Sequence, residues 1–300
     1  MEKVIQEKID NLHPCENCED IQIKKFTPII EYGDYKLIDD DFLRCECGKR
    51  PLDIVMAHIL KIMIEEKIVP QNATLRRNTP VPIPEFCYSS LNPQFINKDS
   101  LILIHPDFNK KVADRLFKEV SEVKGVLKGN PQEIVGMVNK DSDVLNYELL
   151  AGSAKRTDLL KTLIGENIVI NQDQQKTHIE VANTTEEKLI KLYNFLENND
   201  INTSVAIDGM CGLGSHGIFL IKYGFDKVIF NDVYPEAIDS LKENLKINGI
   251  DEDKYEIYNM PFEDLKIENA DLCVIDSFPQ SDDEKIIEKA DSIADNVLVI

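Results

Sequence analysis

The chain has 300 residues, 43% of them hydrophobic and 29% charged, which is enough for two or three domains with cores of their own. It has no run of about 18 apolar residues and no signal-peptide pattern at its start, so we expect a cytoplasmic protein without a membrane partner. The formal net charge is −20, and residues 181–300 carry 10 Lys and Arg against 25 Asp and Glu, which leaves 24 against 29 for residues 1–180. Because phosphate contacts dominate nucleic-acid binding, any RNA contact should be led by the nearly balanced first part.

The first segment, residues 1–70, is rich in cysteine. Cys15 and Cys18 are separated by two residues, and Cys45 and Cys47 follow after 26 intervening residues, with a glycine directly after Cys47. Four thiolates from two turns are what a tetrahedral zinc ion needs, and a glycine there permits the tight turn that aims N–H groups at sulfur. Seven cysteines is an odd number, which fits reduced thiols better than a set of disulfides. We predict a structural zinc site, with unligated cysteines as the alternative.

Periodicity and turn residues divide the next part of the chain. A pattern of apolar residues typical of a buried face predicts a helix over 52–67, and prolines at alternating positions predict an extended linker over 71–96. Residues 97–180 are predicted to form a small α+β domain with a helix over 109–120. Its predicted strands cover residues 101–105, 123–127, 134–138, 147–150 and 166–170. An amphipathic helix is also predicted over residues 1–10.

The most specific motif, Asp208-Gly-Met-Cys-Gly-Leu-Gly214, lies in the remaining domain, residues 181–300. An apolar strand is predicted before it over 204–207, a helix after it over 215–223, and a second strand leads to Asp232. Glycines allow a tight turn close to a ligand, the helix N-terminus offers free N–H groups, and an acidic residue after the second strand can bind both hydroxyls of a ribose. The pattern predicts a nucleoside site in a Rossmann-like α/β domain, with an ordinary glycine turn as the alternative.

The charge at this loop indicates which nucleoside binds. Asp208 beside the helix N-terminus would repel a pyrophosphate, and the third glycine of a dinucleotide motif is displaced to Gly217. The same carboxylate suits a ligand with an ammonium or sulfonium group, and S-adenosylmethionine has both, together with a ribose diol for Asp232. We therefore predict a class I methyltransferase fold that binds S-adenosylmethionine. The predicted cofactor-binding residues in this part are Asp208, Gly209, Cys211, Gly212, Gly214 and Asp232.

Three further strands are predicted toward the end of the chain. The third covers 255–258, and the residues after it that we expect to border the adenine are Asn259, Met260 and Glu263. The fourth covers 270–275 and ends at Asp276, our candidate for accepting a proton from the methyl acceptor, with capping of the next turn as the alternative. The fifth covers 295–300 and would leave an apolar sheet edge uncovered, which predicts either a homodimer through this edge or cover by another part of the chain.

Several of these segments resemble the archaeal and eukaryotic tRNA guanine-N1 methyltransferases. The strands and turns that resemble the middle domain of that family are 101–104, 123–126, 148–152 and 165–170. In the last domain, Asn231-Asp-Val-Tyr-Pro-Glu-Ala237, followed by Asn244 and Asn248, is similar to the family's D-x-x-P-x-A…N…N pattern. The resemblance covers roughly residues 97 to 280.

The resemblance implies an enzyme that transfers the methyl group of S-adenosylmethionine, with tRNA as a partner. It also implies that Asp276 and Pro279 form a wall of the methyl-transfer site, because Asp276-Ser-Phe-Pro279 stands where the family has an N-L-P-type sequence. Where the family carries arginines before its methyltransferase domain, this chain has Thr184-Thr-Glu-Glu-Lys188. The alternatives are a methyltransferase that acts on a small molecule or a protein, an aminocarboxypropyl transferase, and a non-catalytic protein that binds S-adenosylmethionine.

Overall fold

A computed structural model of the chain describes residues 13–19, 21, 23–85, 95–133, 147–177, 179–180, 182–276 and 284–300. The chain divides into two compact units, the first drawn from residues 1–156 and 173–179 and the second from residues 157–172 and 180–300. The helix predicted over 1–10 and the strand predicted over 134–138 lie outside the described residues. No described helix has the length and the apolar composition needed to cross a membrane.

In its described residues, the first unit combines two α-helices with short sheets. Its helices are α1 (Leu52–Glu65) and α2 (Lys110–Glu119). Strands β1 (Arg50–Pro51) and β3 (Phe95–Ile96) pair with each other. The four-stranded sheet has the order β2-β4-β5-β6 and consists of β2 (Val81–Pro84), β4 (Leu101–His105), β5 (Val123–Lys128) and β6 (Glu148–Gly152).

One hydrophobic core spans several elements of the first unit. Ile59 of α1, Leu103 of β4 and Val126 of β5 belong to the same cluster of fully buried side chains. Strand β2, which lies within the segment predicted as a linker, pairs antiparallel with β4 at the edge of the sheet. Its prolines fit this position because proline cannot donate a ladder hydrogen bond and is tolerated in edge strands.

The second unit is built on five parallel strands in the order β11-β10-β9-β12-β13. These strands are β9 (Val205–Asp208), β10 (Lys227–Asn231), β11 (Tyr255–Tyr258), β12 (Leu272–Ile275) and β13 (Val297–Val299). Its helices are α3 (Ala182–Asn198), α4 (Ser215–Tyr223), α5 (Pro235–Ile247) and α6 (Glu284–Ile293). Strands β7 (Lys155–Lys161) and β8 (Asn167–Asp173) form a separate pair, most of which also belongs to this unit.

The five strands predicted for the parallel sheet are confirmed to within two residues, and α4 and β11 have the predicted bounds. The strand predicted over 166–170 is found as β8, which begins one residue later and ends three residues later. Strand β7 and helices α3 and α6 were not predicted from the sequence. The sequence of α3 does contain a helical pattern, because Leu189, Leu192 and Leu196 are spaced for one helix face. All three leucines are buried.

The strand order reverses beside β9, and this reversal indicates where a ligand would bind. From β9 the chain continues to β10 and β11 on one side and then crosses to β12 and β13 on the other. Ligands of open parallel sheets bind outside the carboxyl ends of the strands at such a reversal. Asp208, Asp232 and Asp276 end or follow β9, β10 and β12, so the parallel sheet brings their backbones to the same edge. Strand β13 lies at one edge of this sheet, and pairing of two chains across it stays a prediction.

Candidate functional site

The glycine loop after β9 is fixed to the end of β10 by its backbone. The N–H of Gly212 donates to Asp232 Oδ2 at 2.8 Å, and the N–H of Cys211 donates to the carbonyl oxygen of Asn231 at 2.9 Å. Gly212 and Gly214 have φ values of 50° and 88°, which lie in the left-handed region that favours glycine. The loop therefore has a defined shape that places Asp232 directly beside it.

Glycine is also required where α4 approaches the sheet. A Cβ at Gly214 would lie 2.3 Å from Leu241 Cδ1, and one at Gly217 would lie 2.1 Å from Phe230 Cε1. Gly217 is the displaced third glycine of the sequence motif, and it serves close packing of the helix against β10. The N-terminus of α4 is consequently held near the carboxyl ends of the strands.

Asp208 is the most deeply buried acid of the site. Its side chain has no solvent exposure, and Oδ2 accepts the Gly217 N–H at 2.8 Å, while Oδ1 has no hydrogen-bond partner among the described residues. Burial raises the pKa of Asp208 to about 7, and the negative charges of Asp276 and Asp232 act in the same direction. One carboxylate oxygen in the site is thus unmatched, and a donor or a cation placed there would stabilise the ionised form.

Asp232 is held on both oxygens but retains acceptor capacity. Oδ1 accepts the Tyr234 N–H at 2.9 Å and Oδ2 accepts the Gly212 N–H, and burial raises the pKa of this carboxyl despite these bonds. A carboxylate offers about four lone-pair sites, so acceptor capacity remains for further donors. Asn259 donates through Nδ2 to the Asp232 carbonyl oxygen at 2.8 Å. The structure therefore brings three of the predicted residues, Asp208, Asp232 and Asn259, together around one loop.

The other predicted residues have different surroundings. Met260 is half-buried and packs against the cluster that contains Phe262, whereas Glu263 is exposed. A Cβ at Gly209 would lie 2.6 Å from Ile275 Cδ1. Cys211 is buried and burial raises its pKa well above the usual value, so it is a neutral thiol that fills space. Pro279 lies outside the described residues.

Asp276 is accompanied by two side chains that were not assigned to the site from the sequence. Lys188 of α3 places Nζ 2.8 Å from Asp276 Oδ2 and 2.7 Å from Glu180 Oε1. His216 of α4 is 3% exposed, and its Nε2 lies 4.0 Å from the same Oδ2 without a hydrogen-bond partner in the described part of the chain. Burial lowers the pKa of His216, which favours the neutral imidazole. The sequence signals were the lysine at the position of the family's arginines and the histidine that displaces the third glycine.

The two asparagines of the family pattern connect the glycine loop to strand β8. Asn244 donates through Nδ2 to the carbonyl oxygens of Leu213 at 3.0 Å and Asn171 at 3.2 Å, and its Oδ1 accepts the Asn171 N–H at 2.8 Å. Asn248 binds both backbone groups of Val169 in the same way. These bonds give the asparagines a structural role in shaping the loop.

In the first unit, the four predicted cysteines form a cluster. Their Sγ atoms all lie within 4.8 Å of one another, with distances of 3.7 Å from Cys15 to Cys18, 3.5 Å from Cys15 to Cys45 and 3.5 Å from Cys18 to Cys47. The second turn is closed by the Gly48 N–H, which donates to the Cys45 carbonyl oxygen at 2.8 Å. Burial by itself raises the pKa of Cys47, but hydrogen bonds from the backbone and from the other thiols lower it to about 6.

Parts of this chain are similar in sequence to known methyltransferases. No protein-family model matches it. It is 41% identical over 64 residues to the ribosomal protein L11 methyltransferase of Vibrio parahaemolyticus, a match that covers 21% of each chain. It is 30% identical over 104 residues to the tRNA (guanine(37)-N(1))-methyltransferase of Giardia intestinalis, which covers 34% of this chain and 22% of that one. The chain thus spans about a fifth of the length of these relatives.

Among solved structures, TYW2 of Pyrococcus horikoshii in complex with MeSAdo is similar with a TM-score of 0.49 and 23% identity, covering 79% of this chain and 76% of that one. The five parallel strands with their reversal beside β9 agree with a Rossmann-like α/β domain. The local identities to the Vibrio and Giardia enzymes confirm the predicted resemblance to methyltransferases, among them a tRNA guanine-N1 enzyme.

Proposed function

We propose that the second unit binds S-adenosylmethionine and that the protein transfers its methyl group to an acceptor. The observation that carries this proposal is the set of three carboxylates around the glycine loop. Asp208, Asp232 and Asp276 end or follow adjacent strands, and Lys188, which pairs with Asp276, is also paired with Glu180. Such a site favours a cationic nucleoside and disfavours a pyrophosphate.

The residues present fit the cofactor group by group. The unmatched Oδ1 of Asp208 would accept from the ammonium group, and the open acceptor sites of Asp232 would take the ribose hydroxyls. We further propose that Asn259, Met260 and Glu263 border the adenine, and that Gly209, Cys211, Gly212 and Gly214 give the loop its shape. When bound, S-adenosylmethionine supplies a methyl group that is already activated by the sulfonium charge.

The protein's own part in such a transfer is to position the acceptor and remove a proton. A nucleophile must be held about 3 Å from the methyl carbon, and a nucleophile that carries a proton must lose it. We propose Asp276 as the proton acceptor, with Pro279 beside it as a wall of the acceptor pocket. The support is the position of Asp276 at the carboxyl end of β12, next to the reversal of strand order.

We propose tRNA as the acceptor. The support is the resemblance of residues 97 to 280 to the tRNA guanine-N1 enzymes and the local identity to the Giardia enzyme. A protein acceptor is the second candidate, favoured by the acidity of the second unit and by the local identity to an enzyme named for ribosomal protein L11.

The test is to incubate the protein with S-adenosylmethionine labelled in its methyl group and with three separate fractions of a cell extract, total tRNA, ribosomal proteins and small molecules. We expect label in tRNA and much less label with the Asp232→Ala variant, because that variant lacks the ribose contact. Label in the ribosomal proteins would replace the tRNA proposal by the second candidate. If wild-type protein labels no fraction although it binds the cofactor, the methyltransferase proposal is wrong.

We also propose that Cys15, Cys18, Cys45 and Cys47 hold a structural zinc ion. A tetrahedral zinc with Zn–S bonds of about 2.3 Å separates its sulfurs by about 3.8 Å, and three of the Sγ distances in the cluster, 3.5 to 3.7 Å, lie close to this value. Zinc binds the deprotonated form of each thiol, so the cluster would release protons when it binds the metal. Elemental analysis of protein purified under reducing conditions should find about one zinc per chain.

A further inference from the structure

Lys188 is a half-buried cation whose position the reaction described above does not explain. Its side chain is 22% exposed and that of Asp276 is 17% exposed, and the pair joins residues from α3 and from the end of β12. Exposed ion pairs are common and contribute little to stability. A pair that is largely removed from water carries a desolvation cost, and only good geometry offsets that cost. Lys188 meets this requirement, because it is paired with Asp276 and with Glu180 at 2.8 and 2.7 Å.

The contacts on Asp276 are one-sided. Lys188 Nζ and His216 Nε2 both approach Oδ2, at 2.8 and 4.0 Å, and Oδ1 makes no hydrogen bond within the described residues. The charged groups that face His216 and this carboxylate are Lys188, Glu180 and, from β9, Asp208. Among the residues that the structure describes, the carboxylate is therefore held through Oδ2 alone.

We propose that Lys188 is the positioning residue of the transfer, and that it orients Asp276 so that Oδ1 receives the proton of the acceptor. This inference rests on the proposed methyltransferase function. In the step, a lone pair of the acceptor's N–H or O–H group attacks the methyl carbon, the C–S bond breaks with its electrons staying on sulfur, and the acceptor's proton passes to Asp276 Oδ1 and then to solvent. Lys188 remains paired with Oδ2 throughout and touches neither cofactor nor acceptor.

The closest competing role for Lys188 is direct binding of the cofactor's carboxylate. The two roles make different predictions, because a cofactor ligand affects the Kd for S-adenosylmethionine and a positioning residue affects kcat. If the role of Lys188 were purely structural, replacing it would lower the free energy of unfolding. Restoring the positive charge alone would then not restore the lost activity. The experiment must therefore measure binding, turnover and unfolding on the same set of variants.

The variants are Lys188→Met, Lys188→Arg and, as a matched control on the same helix, the exposed Lys191→Met. With the fraction that wild-type protein labels, we expect Lys188→Met to lower kcat by roughly 10- to 100-fold, while Kd for S-adenosylmethionine changes less than about threefold. Lys188→Arg should recover most of the loss, and Lys191→Met should behave as wild type. In a Lys188→Ala variant, added ethylammonium should restore part of the rate, because a small cation can enter the space of the side chain.

A double variant tests whether Lys188 acts through Asp276. Adding Lys188→Met to Asp276→Asn should cause no further loss of kcat, because residues that work as a unit are not additive. The inference is overturned if Lys188→Met keeps the wild-type kcat, if it raises Kd at unchanged kcat, or if the two losses multiply. A wild-type protein that labels no fraction would overturn the proposed function and the inference with it.

Discussion

Replacing Asp208 by asparagine should stabilise the protein without ligand, by an amount that grows as the pH rises from about 4 to about 7. The side chain has no exposure and burial raises its pKa from 3.8 to about 7. The folded state therefore binds a proton more tightly than the unfolded state, so stability falls as pH rises from about 4 to about 7 and is then constant. The asparagine side chain would not titrate, and its oxygen could still accept the Gly217 N–H.

The size of the effect follows from the width of this pH window. A shift from 3.8 to about 7 corresponds to about 4 kcal/mol of unfolding free energy, of which about 2 kcal/mol lies between pH 5.5 and pH 8. The gain of Asp208→Asn over wild type should therefore be larger at pH 8 than at pH 5.5 by about that amount. Binding should change in the opposite sense, because the ammonium group loses a charged partner, and we expect about tenfold weaker binding of S-adenosylmethionine.

The measurement is urea unfolding at both pH values. Far-UV circular dichroism monitors the unfolding, because the chain has no tryptophan for fluorescence. Amide exchange in β9 and α4 assigns the shifted transition to the second unit. The control is Asp226→Asn, an exposed aspartate of the same unit, for which we expect no pH-dependent difference. Equal effects of Asp208→Asn at pH 5.5 and pH 8, or unchanged cofactor binding, would show that the buried carboxylate is not the unmatched group that we describe.

Three further predictions concern the cofactor, the metal and the packing of the loop. Asp232→Ala should weaken S-adenosylmethionine binding by roughly 2 kcal/mol, and NAD should not compete; calorimetry with equal affinity for NAD would contradict this. Cys15→Ser should release zinc, detected by elemental analysis, and leave cofactor binding intact because the cluster and the glycine loop belong to different units. Gly217→Ala should lower the free energy of unfolding, measured by urea titration, by about 1 to 3 kcal/mol, because the new Cβ would lie 2.1 Å from Phe230 Cε1. The control Gly33→Ala should leave the free energy of unfolding unchanged, because nothing lies within 4 Å of its new Cβ.

Much of the second unit was predictable because its signals are local. Short apolar runs bounded by glycine and by polar turns predicted the five strands, and α4 was found with its observed bounds because a glycine precedes it and Gly224 ends it. The cysteine cluster was predictable for the same reason, since ligand spacing along the chain limits which thiols can meet. Helix α3 was not predicted, although its leucines have helical spacing. The polar residues of its first turn give no apolar pattern that would mark the start of a helix.

The sequence by itself determined the order of the strands along the chain, the loop between β9 and α4 and the identity of the acids near it, since these depend on residues close together in the chain. Only the tertiary structure decided how those acids are used. It buries Asp208 with one oxygen unmatched, and it brings Lys188 to Asp276 across 88 positions of sequence. Burial and ion pairing depend on which distant elements pack together, and the free energy of an ionised group depends on those surroundings, so no local pattern could assign these roles.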